Sequence, residues 1–177
     1  LLAALQPPAV AVAVTVNADD DLLDRLADRF QVIQLSGDEG PAVADRLIAD
    51  GLKVIKAFGV PGRDFVGPIR DWLDGLADRD GVLAVLLDAM NKQAGQYGGT
   101  GRRFNWDHLA DAIEAGELEG LPPIMLAGGL NPKNVRTAVR DTRPWGVDVA
   151  GGVEVEDQPG VKSINRIRDF IRAARTA

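Results

Sequence analysis

Short apolar runs rich in β-branched residues alternate with segments of helical spacing along the whole 177-residue chain. That alternation constrains the fold more than any other feature. Six runs have the length and composition of buried strands: Ala9–Val16, Val32–Leu35, Lys53–Phe58, Val82–Leu87, Ile124–Leu126 and Gly146–Val149. Continuously apolar strands are covered on both faces, and strands separated by helices pair in parallel, so the pattern reads as a helix-covered parallel sheet. Six βα units in 177 residues give about 30 residues per unit, close to the ratio of an eight-unit barrel of about 250 residues. On periodicity alone, a doubly wound open sheet stands level with a barrel.

The helices announce their ends. Leu22, Leu23, Leu26 and Phe30 share one face behind Asp19–Asp21, acidic residues that suit a helix start. Pro41 fits a first helical turn and Gly51 a helix end. Asn105 is a candidate cap for the segment holding Leu109, Ala112 and Ile113. Asn131-Pro132 reads as another helix start, and Ile164, Ile167, Phe170 and Ile171 form one stripe on a last helix. No linker or repeat interrupts the series, so residues 1–177 are expected to form a single domain.

Charge and composition remove several function classes. With 20 basic against 26 acidic residues and no basic cluster, a nucleic-acid partner is not expected. A small anion is still within reach, because a few backbone amides can hold a phosphate without net positive charge. The absence of cysteine excludes disulfides, thiolate metal sites and a thiol catalyst within these residues. The apolar start is broken by Pro7 and Pro8 and lacks a basic flank. It is therefore read as neither a membrane span nor a signal peptide, and a cytoplasmic location is expected.

Three glycine segments sharpen the reading. Gly98-Gly99-Thr100-Gly101 follows the Val82–Leu87 strand at a distance, Ala127-Gly128-Gly129-Leu130-Asn131-Pro132 follows the next strand directly, and Ala150-Gly151-Gly152-Val153-Glu154 follows the last. Consecutive glycines let amide groups approach an anion without Cβ interference. In barrels the phosphate site commonly forms from the loops after the last two strands, which favours a barrel over an open sheet here. Any one Gly-Gly pair alone is more often a plain turn.

The motifs then become specific. Gln34-Leu35-Ser36-Gly37-Asp38-Glu39, Leu87-Asp88, Gly98-Gly99-Thr100-Gly101 with Phe104 and Trp106, and Leu126-Ala127-Gly128-Gly129-Leu130 occur in a familiar order. Gly146-Val147-Asp148-Val149-Ala150-Gly151-Gly152-Val153-Glu154 and Pro159-Gly160-Val161-Lys162 close the series. Together they resemble the phosphoribosylanthranilate isomerase family over nearly the whole chain. The resemblance implies a (β/α)8 barrel and an Amadori rearrangement of N-(5′-phosphoribosyl)anthranilate in tryptophan biosynthesis, with no metal or organic cofactor. It implies that Asp88 is the general acid that opens the ribose ring and that Asp148 orients the substrate amine. Gly99, Gly128, Gly129, Gly151 and Gly152 are then the substrate- and phosphate-binding residues. Glu154 reads as structural.

The chain also departs from the pattern. The family's general base is a cysteine in a Lys-Ile-Cys-Gly segment on its first strand, and that segment does not occur here. Ala9–Val16 matches the family's third strand, so an incomplete barrel of about six units, without strands one and two, is expected. Such a barrel is expected to need the segment it lacks or to associate through open edges. Lys56 is a poor substitute base, since its strand lies across the barrel from strand one and a lysine base needs a much lowered pKa. Ser36 stands where the family usually has histidine, Ala150-Gly151 where it has Ser-Ser or Ser-Gly, and Ser163 where it has aspartate. His108 reads as a helix-start residue, and Trp72, Trp106 and Trp145 as packing residues. Two other functions stay open: a sugar-phosphate-binding remnant without turnover, and a phosphate-binding barrel enzyme of the indole-glycerol-phosphate synthase kind.

Overall fold

The fold was analysed on a computed structural model that describes residues 9–60, 62–88 and 106–177. The chain divides into two units, Leu1–Phe58 with Gly67–Val85 and Gly59–Val66 with Leu86–Ala177.

The first unit runs β1 (Val12–Thr15), α1 (Asp20–Ala27), β2 (Val32–Leu35), α2 (Pro41–Ala49), β3 (Lys53–Gly59), α3 (Val66–Asp74) and the start of β4 (Val82–Asp88). α1 begins where the acidic run predicts: the Asp19 carboxylate accepts from the Leu22 amide at 2.8 Å. Such a cap is worth about 1 kcal/mol. Leu23 is fully buried, but Leu22 is exposed, so the helix buries a narrower face than the spacing suggests. Pro41 occupies the first turn of α2, and the helix ends at Ala49, just before Gly51. α3 has no clear sequence signal, since Gly67 and Pro68 open it. Burial holds it instead: Ile69, Trp72 and Leu73 face the core. Each fully buried large aliphatic residue, such as Ile33, Leu47 or Ile69, contributes about 1.5–3 kcal/mol. β1 is shorter than the expected Ala9–Val16 run. Its Ala13 and Thr15 are buried, while Val12 and Val14 are 38% and 62% exposed.

The second unit holds the end of β4, α4 (Trp106–Glu114), β5 (Ile124–Leu126), α5 (Val135–Thr142), β6 (Gly146–Val147), a 3-10 turn at Gly151–Val153 and α6 (Ile164–Arg175). Asn131-Pro132 does not start the helix. The Asn131 side chain accepts from the Lys133 amide at 2.9 Å and the Asn134 side chain from the Asn131 amide at 2.7 Å, closing a turn that delays α5 to Val135. α4 buries Leu109 and Ala112 but leaves Ile113 exposed. The α6 stripe buries only Phe170, and Ile164 and Ile171 face solvent. Trp145, expected to pack, is 59% exposed. The cap expected at Asn105 and the side chain of Trp106 lie outside the described residues.

The six strands follow sequence order in one sheet. Pairing is parallel between β1 and β2, β2 and β3, and β5 and β6. This is the parallel α/β arrangement that the alternation implies. Among the described residues, no helix is long and apolar enough to cross a membrane.

Candidate functional site

Three strand ends in the second unit lie in adjacent register. The Ala127 amide donates to the Leu87 carbonyl at 2.8 Å, and the Asp148 amide donates to the Leu126 carbonyl at 2.8 Å. These two bonds set Asp88, Gly128 and Asp148 at the carboxyl ends of three neighbouring strands. Strands in a sheet are about 4.8 Å apart, so the outer two backbones are separated by roughly 10 Å. That span suits a small molecule held between two carboxyl groups. Asp88 is half-buried behind the buried Leu86 and Leu87, and its carbonyl accepts from the Val60 amide at 3.0 Å. Gly99 and the rest of Gly98–Gly101 lie outside the described residues.

The loop after β5 takes its form from Gly128 and Gly129, whose φ values of 84° and 68° place both in the left-handed region. Side chains rarely tolerate that conformation. The Asn134 side chain then ties down the Gly129 carbonyl at 2.9 Å. The loop after β6 meets this one directly. A Cβ on Gly152 would stand 1.8 Å from the Leu130 carbonyl oxygen, so only glycine allows the approach. The loops that carry Gly128-Gly129 and Gly151-Gly152 thus meet at the Gly152–Leu130 contact.

Asp148 is open to water on one side and crowded by protein on the other. The crowding raises its carboxyl above the ordinary value, while the Val149 amide and the charge of Lys162 pull it down. Lys162 also donates to the Ala150 carbonyl at 2.9 Å and to Glu154 at 2.6 Å. The Lys162 hydrogen bond, followed by one from the Gly160 backbone, holds the Glu154 carboxyl below its usual range. Glu154 is thus engaged by Lys162. Arg166 donates to the Gly152 carbonyl at 3.1 Å. Lys162 was legible only as part of a motif, and Arg166 not at all. The available signal was two cations crowding the start of α6, where the helix dipole disfavours them.

The strand ends of the first unit are organised differently. The Lys56 ammonium donates to the Gly37 carbonyl at 2.7 Å and to Glu39 at 3.0 Å, with the Leu35 carbonyl at 3.4 Å. Both side chains of the pair are 4% exposed. The other Glu39 oxygen accepts from the Asn17 amide at 2.7 Å, and the Glu39 carbonyl accepts from the Trp72 indole at 3.1 Å. The cage presents three acceptors to the Lys56 side chain, the complement of an ammonium's three donors. Ser36 accepts from the Gln34 side chain at 3.0 Å. His108 is half-buried in the first turn of α4. Among the described residues, no group of three His, Asp or Glu side chains converges as metal ligands do.

The arrangement has known counterparts. The family model for N-(5′-phosphoribosyl)anthranilate (PRA) isomerase matches residues 3–173. The N-(5′-phosphoribosyl)anthranilate isomerase of Geobacter sulfurreducens is 41% identical over 99% of this chain and 77% of its own length. That of Aquifex aeolicus is 37% identical over 93% of this chain and 72% of its own. Among solved structures, the enzyme from Thermotoga maritima superposes with a TM-score of 0.77 at 31% identity, covering 98% of this chain and 76% of the other. A second, in complex with reduced 1-(o-carboxyphenylamino)-1-deoxyribulose 5-phosphate, gives 0.73 at 28% identity, covering 99% and 76%. Sequence and topology agree: the chain belongs to the N-(5′-phosphoribosyl)anthranilate isomerase family, isomerases of tryptophan biosynthesis.

Proposed function

We propose that the second unit supplies the acid and the phosphate grip for converting N-(5′-phosphoribosyl)anthranilate into 1-(2-carboxyphenylamino)-1-deoxyribulose 5-phosphate. Asp88 protonates the furanose ring oxygen, which breaks the C1–O bond and leaves a Schiff base on the anthranilate nitrogen. A base then removes the C2 proton, and the electron pair moves into the imine to give an enolamine. Tautomerisation to the ketone completes the isomerisation without oxidant or cofactor. Asp148 orients the substrate amine, and the Gly128-Gly129 and Gly151-Gly152 loops hold the phosphate through backbone amides. The observation that carries this reading is the contact of Gly152 with the Leu130 carbonyl, which joins both glycine loops beside Asp148. Inorganic phosphate titrated into the isotopically labelled protein should shift the amide resonances of residues 128–131 and 150–153. Shifts confined to other loops would remove the assignment.

The resemblance assigns the base to a thiol, and the 177 residues contain no cysteine, so none of these residues is given that role. The six strands correspond to the third through eighth of a (β/α)8 barrel, in a cytoplasmic pathway enzyme. The chain by itself is expected to lack turnover and to gain it when a segment bearing the Lys-Ile-Cys-Gly strand is supplied. β1 stands first in the strand order, and an unpaired edge there would favour association. The absence of cysteine also favours a second reading, a sugar-phosphate binder without catalysis. Persistent inactivity with the cysteine segment present, together with retained phosphate binding, would decide for it.

A further inference from the structure

Lys162 and Arg166 sit oddly for residues of a helix start. Lys162 directly precedes the Ser163 cap of α6, Arg166 lies in its first turn, and that turn has no acidic residue. Cations there are disfavoured by the helix dipole, whereas Arg172 and Arg175 in the last turn satisfy it. Both misplaced cations reach back to the loop after β6. Lys162 takes the Ala150 carbonyl and Arg166 the Gly152 carbonyl, while the Gly151 carbonyl between them accepts from the Glu154 amide at 3.0 Å. In a trans peptide plane the carbonyl and the following N–H point in opposite directions. With three successive carbonyls held by these donors, each of the amides of Gly151, Gly152 and Val153 is turned away from the donor that holds the carbonyl before it.

We propose that Lys162 and Arg166 are positioning residues that hold the Ala150–Val153 peptide planes so that their amides face the substrate phosphate. The inference rests on the phosphate reading of these loops. The Lys162–Glu154 pair is too exposed to matter much for stability, at 42% and 23% of side-chain surface. Its consequence is orientation. Burial raises the Asp148 carboxyl, and the Lys162 charge opposes that rise to a lesser degree, so the side chain that holds the Ala150 carbonyl also acts on the neighbouring carboxylate.

The test uses the 177-residue protein, inorganic phosphate as probe and amide resonances as readout. Lys162→Met and Arg166→Met should each weaken phosphate binding about tenfold, the worth of one charge-assisted contact. Lys162→Arg should recover most of the loss. Lys53→Met, which removes an equal charge from the first unit, should change affinity less than twofold. In Lys162→Met the Asp148 carboxyl should also titrate at higher pH than in the parent, a shift that damage to packing does not predict. Should Lys162→Met fail to fold, Lys162→Gln answers the same questions. Parent loops that ignore phosphate would overturn both the functional reading and this one. Parent loops that respond, with Lys162→Met and Arg166→Met binding as the parent does or Lys53→Met equally weakened, would overturn this inference alone.

Discussion

At the carboxyl ends of β1, β2 and β3, side chains of the same unit meet the polar backbone. Glu39 takes the Asn17 amide, Lys56 takes the Gly37 carbonyl, and Trp72 takes the Glu39 carbonyl. At the ends of β5 and β6 the loops are instead shaped by glycine, with Asn134 holding the Gly129 carbonyl and the Asn131 amide of the first and two cations holding carbonyls of the second. The first arrangement closes on itself and yields rigidity. The second, on the function proposed above, leaves amides for an anion. The same strand-end problem is then met by a buried network in one unit and by glycine loops in the other.

If that contrast is right, substitutions in the two regions should separate activity from stability. Asp88→Asn keeps the shape of the β4 end but cannot donate the proton. Turnover, measured with the cysteine-bearing segment supplied, should fall by about 10²- to 10⁴-fold while urea unfolding is unchanged. Retained turnover would take the acid role away from Asp88. Glu39→Leu should do the reverse, leaving the buried Lys56 without its carboxylate at a cost of about 3–5 kcal/mol in unfolding free energy. Adding Lys56→Met should recover much of that loss. An equal cost in the single and double variants would mean that packing, not charge, holds the network.

Gly152→Ala falls between these extremes. Its new methyl meets a backbone oxygen that cannot swing aside, so the loops must part, at about 1–3 kcal/mol. The amide response to phosphate should vanish with it, and a normal response would show that the two loops need not touch.

Asp148→Asn should have the smallest effect and the opposite sign. The folded-state pKa of Asp148 is raised, so its contribution to stability is fully present below the unfolded-state value and is lost as pH rises through the folded one. Ionised Asp148 therefore weakens the fold at neutral pH, modestly because water reaches one side. The asparagine variant should melt slightly above the parent at pH 7 and level with it in acid. A variant that melts lower at neutral pH would contradict the sign.

The sequence made much of this legible where chemistry is local. Asp19, Pro41 and the apolar runs at Val32–Leu35 and Ile124–Leu126 act through their neighbours in the chain, and the elements they mark appear where expected. α5 is different, because Asn131 and Asn134 bond each other and defer the helix past a proline that would ordinarily start one. α3 depends on burial of Ile69, Trp72 and Leu73, which no local pattern announces. At the candidate site, the glycines and Asp148 were visible as motifs. The reach of Arg166 over 14 positions to Gly152 and of Lys56 over 17 to Glu39 was not, because partner choice at that range is decided by the fold.

The contact between Gly152 and the Leu130 carbonyl also has a consequence in time. A chain is made from its amino end, and its domains generally take shape in that order. The turn after β5 is specified by residues near 130, yet the backbone it rests against arrives some twenty positions later. Until residue 152 has left the ribosome, that contact cannot form. A nascent chain stalled short of that glycine would carry the turn after β5, held by Asn134, without the backbone that packs against it.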